Sequence, residues 1–204
     1  MTSSKTDPEN SPAAGTARLI VRAFHHGATD AVILPARGIS PEEALAGHCR
    51  EPKCENYGLS MSCPPHVQGP AVLRKWLQDF SRALFFKIEV PSEVLYSHER
   101  LEVFELLHTT AAAVENQAQA MGFTRARAFA GGSCKKIFCG NTPGCRRLSK
   151  DALCRHPDRA RPSMSGFGIN VGKLITLAGW EAEPLGKGRS GSESAGVYGL
   201  VLLY

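Results

Sequence analysis

Apolar positions recur along the chain at two spacings, and the two alternate. Leu19, Ile20, Ala23 and Phe24 fall at helical intervals, and Gly27 suits a helix end. Ala31–Pro35 (AVILP) is a short apolar run that reads as a buried strand, and a helical turn is expected over Pro41–Gly47. From Pro70, a favourable first helical residue, Leu73, Trp76, Leu77 and Phe80 repeat at i, i+3, i+4 and i+7. Ala83–Val90 (ALFFKIEV) is almost continuously apolar, as in a strand covered on both faces. Leu101, Phe104, Leu107, Ala111, Val114, Ala118 and Met121 trace one long helix that stops at Gly122. Arg125–Ala130 reads as a strand. Val171, Leu174, Ile175 and Ala178 mark a helix ending at Gly179, and a Gly/Ser-rich connection, Gly186–Gly196, leads to a last strand, Val197–Leu203.

Strands alternating with helices predict an α/β fold: a single domain over residues 16–204, with a mixed, mostly parallel sheet flanked by helices. Residues 1–15 are polar and rich in Pro, Ser and Ala, the composition of a disordered tail. In a parallel sheet ligands collect outside the carboxyl ends of the strands. Two segments that break the periodic pattern follow strands, one after Ala31–Pro35 with a turn between and one directly after Arg125–Ala130. Parallel strands would place both segments on one edge, as neighbours.

Those two segments hold every cysteine of the chain. Cys49, Cys54 and Cys63 lie within fifteen residues, and Cys134, Cys139, Cys145 and Cys154 within twenty-one. With 43% hydrophobic and 21% charged residues the composition is that of a soluble globular protein. No apolar stretch follows a basic start as in a signal peptide, and no run approaches the roughly 18 apolar residues of a membrane span. A reducing, cytoplasmic compartment is therefore expected. There, clustered cysteines serve metals or redox chemistry rather than disulfides, and an odd total of seven also argues against full pairing.

The second segment, C-x4-C-x5-C-x8-C, offers four thiolates, enough for tetrahedral zinc or for one 4Fe–4S cluster. Zinc modules bring cysteines in close pairs on tight knuckles, whereas these gaps are looser. Gly131, Gly132, Gly140 and Gly144 let backbone N–H groups approach cluster sulfurs. Both features favour a cluster, with zinc as the alternative. The first segment, C-x4-C-x8-C-P-P, has three cysteines, and a proline after a ligating cysteine is familiar from ferredoxins. Its fourth position falls to His48 or His66, which flank it, or stays open to water or a substrate, as in catalytic metal sites. A second cluster is then expected. A competing reading has one centre drawing ligands from both segments.

Charge sharpens this picture. Residues 134–161 hold eight Lys/Arg (Lys135, Lys136, Arg146, Arg147, Lys150, Arg155, Arg159, Arg161) against Asp151 and Asp158, a net +6 within a chain of +5. Such a segment would raise the potential of an anionic cluster and could dock an acidic redox partner; as a bland alternative it is a solvated basic face around zinc. It lacks the aromatic interleaving of a nucleic-acid surface, so nucleic acid is not expected, and neither is a membrane. His25-His26 reads as a helix C-terminal cap and His108 as an exposed position of the long helix. Gly186–Gly196 lacks the GK[ST] ending of a phosphate-binding loop, and no nucleophile-elbow, zincin or dinucleotide motif appears.

Tyr57-Gly58 with Cys63–His66 (CPPH), GGSC at 131–134, and CRHPDRARPSMSGFGINV at 154–171 resemble the signature of a family called predicted metal-binding proteins, domain of unknown function 2284. The likeness spans roughly residues 18–180. It implies a cysteine-rich prokaryotic metal protein carrying iron–sulfur clusters and no established reaction. Against the family pattern, Cys49 and Cys54 are further apart and the second segment is looser. Ser165 and Asn170 stand where acidic residues are common, which removes an acid/base group from those positions.

Overall fold

The computed structural model describes residues 12–150, 152–181 and 194–204. Helix α1 (Pro12–His25) leads into strand β1 (Asp30–Pro35), then α2 (Glu43–Gly47), α3 (Gly69–Leu77), β2 (Arg82–Pro91), α4 (Ser92–Tyr96), α5 (Arg100–Ala120), β3 (Arg127–Ala130), α6 (Cys134–Phe138), α7 (Val171–Leu177) and β4 (Ser194–Leu203). Helix α1 starts inside the expected tail, whose first eleven residues lie outside the described ones. Most of the Gly/Ser-rich connection before β4 lies outside them too.

The sheet has four strands in the order β1-β2-β4-β3, and every neighbouring pair is antiparallel. The expected mostly parallel sheet is therefore wrong. Unbroken apolar runs such as ALFFKIEV show that both faces of a strand are covered, and they carry no information on direction. Both faces are covered here. Leu84, Phe86, Ile88, Val201 and Leu203 pack with Leu19 of α1 and Leu107, Ala111 and Val114 of α5. Ala83, Phe85, Phe129, Leu200 and Leu202 pack on the other side with Leu73, Met164, Phe167 and Leu174. Alternate residues of one strand thus enter different cores, as the two-residue strand period requires. Burying a phenylalanine such as Phe85, Phe86 or Phe129, each at most 1% exposed, contributes about 2–3 kcal/mol.

Antiparallel pairing also changes how the cysteine segments meet. β1 and β3 run in opposite directions as the two outer strands, so their carboxyl ends lie at opposite edges. Three strand spacings separate them, about 14 Å. The chain after β1 crosses this width and reaches the end of β3, tied down on the way. Pro41 bridges Ile169, and the Glu42 N–H donates to the Gly168 carbonyl at 2.9 Å. Gly168 has φ +68°, and a Cβ there would lie 2.3 Å from the Glu42 carbonyl oxygen, so no larger residue fits this crossing. The Asn170 side chain accepts the Lys173 N–H and caps α7, while its amide donates to Glu42 at 3.0 Å.

Candidate metal centre

The second cysteine segment is a loop closed at its base. Chain leaving it returns beside the strand that entered it: Ser163 pairs with Ala130 in parallel, the Ala130 N–H donates to Pro162 at 3.1 Å, and the Met164 N–H donates to Ala130 at 3.2 Å. His108 of α5 joins the two ends. Its Nδ1 accepts the Arg161 N–H at 3.1 Å, which makes Nε2 the protonated nitrogen, and Nε2 lies 3.2 Å from the Gly131 carbonyl. The expected exposed position is thus a fully buried one. The apolar stripe runs through Leu107 and Ala111, and His108 packs on the same wide face because its polar ring is satisfied there by two backbone groups. Burial pushes its pKa from 6.5 down to about 4, the Gly131 bond opposing and the Arg161 charge adding to the drop.

Two further contacts hold the base. Arg161 Nε lies 2.6 Å from Glu115 Oε2 with both side chains largely buried, an ion pair whose N–H points off the hydrogen-bond line. The other Glu115 oxygen accepts the Ala128 N–H at 2.7 Å. Gly132 has φ +80°, and a Cβ there would stand 3.0 Å from the Phe104 ring. Glycine is what lets the chain turn at this point and rest on α5.

Within the loop, Cys134, Cys139, Cys145 and Cys154 line one narrow cavity of about 20 Å³. Phe138 and His156 form its apolar wall, their rings 5.5 Å apart, and the His108 ring meets Phe138 edge-on. Arg146, Arg147 and Arg155 border the same cavity. The His156 N–H points at Cys154 Sγ at 3.3 Å, the kind of contact that stabilises a thiolate. Lys135 folds back on the Cys139 and Thr142 carbonyls, and the Thr142 hydroxyl donates to Cys139 at 2.8 Å, fixing the turn after Cys139.

The first loop lies against this one. The Gly58 N–H donates to the Pro64 carbonyl at 2.8 Å, which explains why Tyr-Gly and Cys-Pro-Pro occur together. The Ser163 N–H donates to Ser62 at 3.0 Å, and Lys136 pairs with Glu55 at 2.6 Å. The thiols then cross over: Cys63 Sγ donates to Ser133 Oγ at 3.4 Å and Cys134 Sγ to Ser62 Oγ at 3.1 Å. Two Ser-Cys pairs from distant parts of the chain thus interlock. The expectation of neighbouring loops holds, though they meet by crossing the sheet rather than by sharing an edge.

Electrostatics links the cysteines in one chain. Burial raises the Cys49 pKa, with Cys54 and Cys63 nearby adding to it. The Cys134 thiol is pushed up to about 11 by burial; Ser62 and Ser60 hydroxyls oppose this, and Cys63 and Cys145 add to it. Such a thiol stays protonated at neutral pH until a cation displaces the proton. Ser60 is fully buried and its hydroxyl lacks a well-formed partner. Clustered buried thiols are the soft donors that a thiophilic metal binds. All seven cysteines are free.

Among the described residues no three His, Cys, Asp or Glu side chains stand close enough together to hold a single metal ion. Zinc would draw four thiolates to about 3.8 Å from one another, as follows from Zn–S bonds near 2.3 Å in a tetrahedron. His48 and His66 are exposed and join no such group, and His66 Nε2 lies 3.2 Å from the Gly58 carbonyl. The residues that sequence reasoning missed are Ser62, Ser133, His108, Phe138 and His156. Ser62, Ser133 and Phe138 adjoin a cysteine and His156 lies two residues beyond Cys154; His108, far from any cysteine in sequence, carried no mark. No helix among the described residues is long and apolar enough to cross a membrane.

Neither the curated proteins nor the solved structures contain a match. A family model does match, over residues 32–203, which takes in all seven cysteines, both interlocked Ser-Cys pairs and the whole sheet except the start of β1. Its description is that of a predicted metal-binding protein, and this chain belongs to that family, domain of unknown function 2284.

Proposed function

We propose that this protein carries a 4Fe–4S cluster in the cavity of the second loop and serves in electron transfer or redox chemistry. The carrying observation is that four cysteines from a twenty-one-residue stretch line one cavity. Cys134, Cys139, Cys145 and Cys154 would hold the cluster, and the bound group would supply one-electron exchange at a potential set by its surroundings. The protein's own residues fit that task. Arg146, Arg147 and Arg155 favour the more negative, reduced form, the His156 N–H steadies one sulfur, and Phe138 excludes water from the inner wall. The basic surface suits an acidic redox partner.

The first loop supports a second, open metal site. Cys54 and Cys63 are near enough to Cys49 to add to the rise that burial gives its thiol pKa. Three protein ligands leave a position for an exchangeable group, the arrangement of a catalytic metal site. A zinc-stabilised module with a basic face is the reading to exclude.

Cys145→Ser decides the assignment of the second loop. It should lower iron content and thermal stability, because the loop would lose one corner of its shell. Full iron with an unchanged melting point would remove Cys145 from the ligands. For the first loop, cyanide titrated into reduced protein should shift only the signal that disappears in Cys63→Ser. A signal indifferent to cyanide would make the first loop a lid that shares the second loop's centre.

A further inference from the structure

Behind the first cysteine loop lies a cavity that neither metal site uses. It measures about 320 Å³, within the range of small-ligand sites, and opens between the first loop, the start of α5 and α6. One wall is apolar, made by Leu95, Leu101, Phe104 and Ile137. The other is polar, with Glu55, Asn56, Arg100, Ser133 and Lys136.

Its charges are unevenly matched. Lys136 is held by Glu55 at 2.6 Å. Arg100 makes no hydrogen bond or ion pair among the described residues, although Glu55 is close enough for its carboxyl to be held below its usual value by Lys136 first and by Arg100 as a lesser contribution. One guanidinium therefore faces the cavity in excess. Its planar fork matches a carboxylate in two parallel bonds. Glu55 on the same rim repels a dianion, so a phosphate ester suits the site poorly. The apolar wall asks for a hydrocarbon or aromatic body.

From this arrangement we infer that the cavity binds a small organic monocarboxylate with an apolar body, its carboxylate on Arg100 and its body against Phe104 and Leu101. The position gives the site a purpose. Ser133 borders the cavity, its hydroxyl lies 3.4 Å from Cys63 Sγ, and the next residue is Cys134. Glu55 and Asn56 directly follow Cys54. A bound acid thus presses on the backbone next to Cys54 and Cys134 and on the hydroxyl that Cys63 touches. That consequence for the metal rests on reading the first loop as a metal site; the binding itself does not.

Benzoate is the probe, with benzyl alcohol as its uncharged counterpart and inorganic phosphate as the competing anion. Amide shifts would be followed by NMR in zinc-loaded protein, where no paramagnetic metal broadens the signals, and benzoate's effect on the absorption spectrum in iron-loaded protein. Saturable benzoate binding in the millimolar range or tighter is expected, with shifts at Gly132, Ser133 and Ile137. Benzyl alcohol should bind about tenfold more weakly or worse, because a charge-assisted bond is missing. Arg100→Gln, at an exposed position, should lose benzoate binding to the same degree. Absent binding, equal binding by the variant, or phosphate binding more tightly than benzoate would each overturn the inference. Benzoate binding without any change in the iron spectrum would keep the site and sink its link to the metal, so the two readings fail separately.

Discussion

Acidification should open the metal loop through His108. The ring is buried and neutral, its Nδ1 accepting from Arg161 and its Nε2 facing the Gly131 carbonyl. Protonation would put a hydrogen on the nitrogen that must accept, inside a site that already holds Arg161. The folded pKa is depressed from 6.5 to about 4. Neutral His108 therefore contributes stability that is complete above pH 6.5 and is lost as pH falls towards 4. At 1.36 kcal/mol per unit, the full loss is about 3 kcal/mol, of which about 2 kcal/mol is gone by pH 5. The assay is urea unfolding of wild type and His108→Gln between pH 8 and pH 5, each in the same metal state. Cysteine ligation adds a pH dependence of its own, so the difference between the two proteins is the quantity that counts. The wild type should lose about 2 kcal/mol more than the variant over that range. Parallel curves for the two proteins would refute the argument and place the acid sensitivity in the cysteines.

Glu115→Ala leaves the Arg161 guanidinium buried without its counter-ion and should destabilise by about 3 kcal/mol or more in denaturant unfolding; a neutral result would mean that water reaches Arg161. Gly132→Ala places a side chain at φ +80° and 3.0 Å from Phe104. It should cost about 1–2 kcal/mol and weaken metal retention, and an unchanged midpoint would contradict the tight turn. Reversing Arg146 and Arg147 to Glu should slow reduction by an acidic electron carrier and flatten its salt dependence, with melting temperature unchanged; a rate indifferent to both would place the docking face elsewhere.

The chain wrote its helices and strands plainly and its sheet direction not at all. Leu107, Ala111, Val114 and Ala118 announced α5, and ALFFKIEV announced β2, because periodicity reports burial. Direction depends on which distant strand pairs with which, and the 46 residues between Pro35 and Arg82 give no hint that β1 and β2 are neighbours in antiparallel register. The metal loops were legible because thiols are scarce and were concentrated. Their interlock was not: Ser62 and Ser133 become partners of cysteines about seventy residues away only after the chain has crossed the sheet. His108 escaped for a related reason. A histidine on an apolar helix face is satisfied by backbone groups, Gly131 and Arg161, that only tertiary structure brings to it. The RPSM-GI element, prominent as a motif, is the returning segment that pairs Ser163 with Ala130 and fits Gly168 under Glu42.

Metal and sulfide analysis of anaerobically purified wild-type protein tests the central claim most directly. The account predicts brown protein with iron and acid-labile sulfide in near-equal amounts and a broad absorption near roughly 400 nm, as thiolate-ligated clusters show. Colourless protein that holds stoichiometric zinc and no sulfide would contradict it.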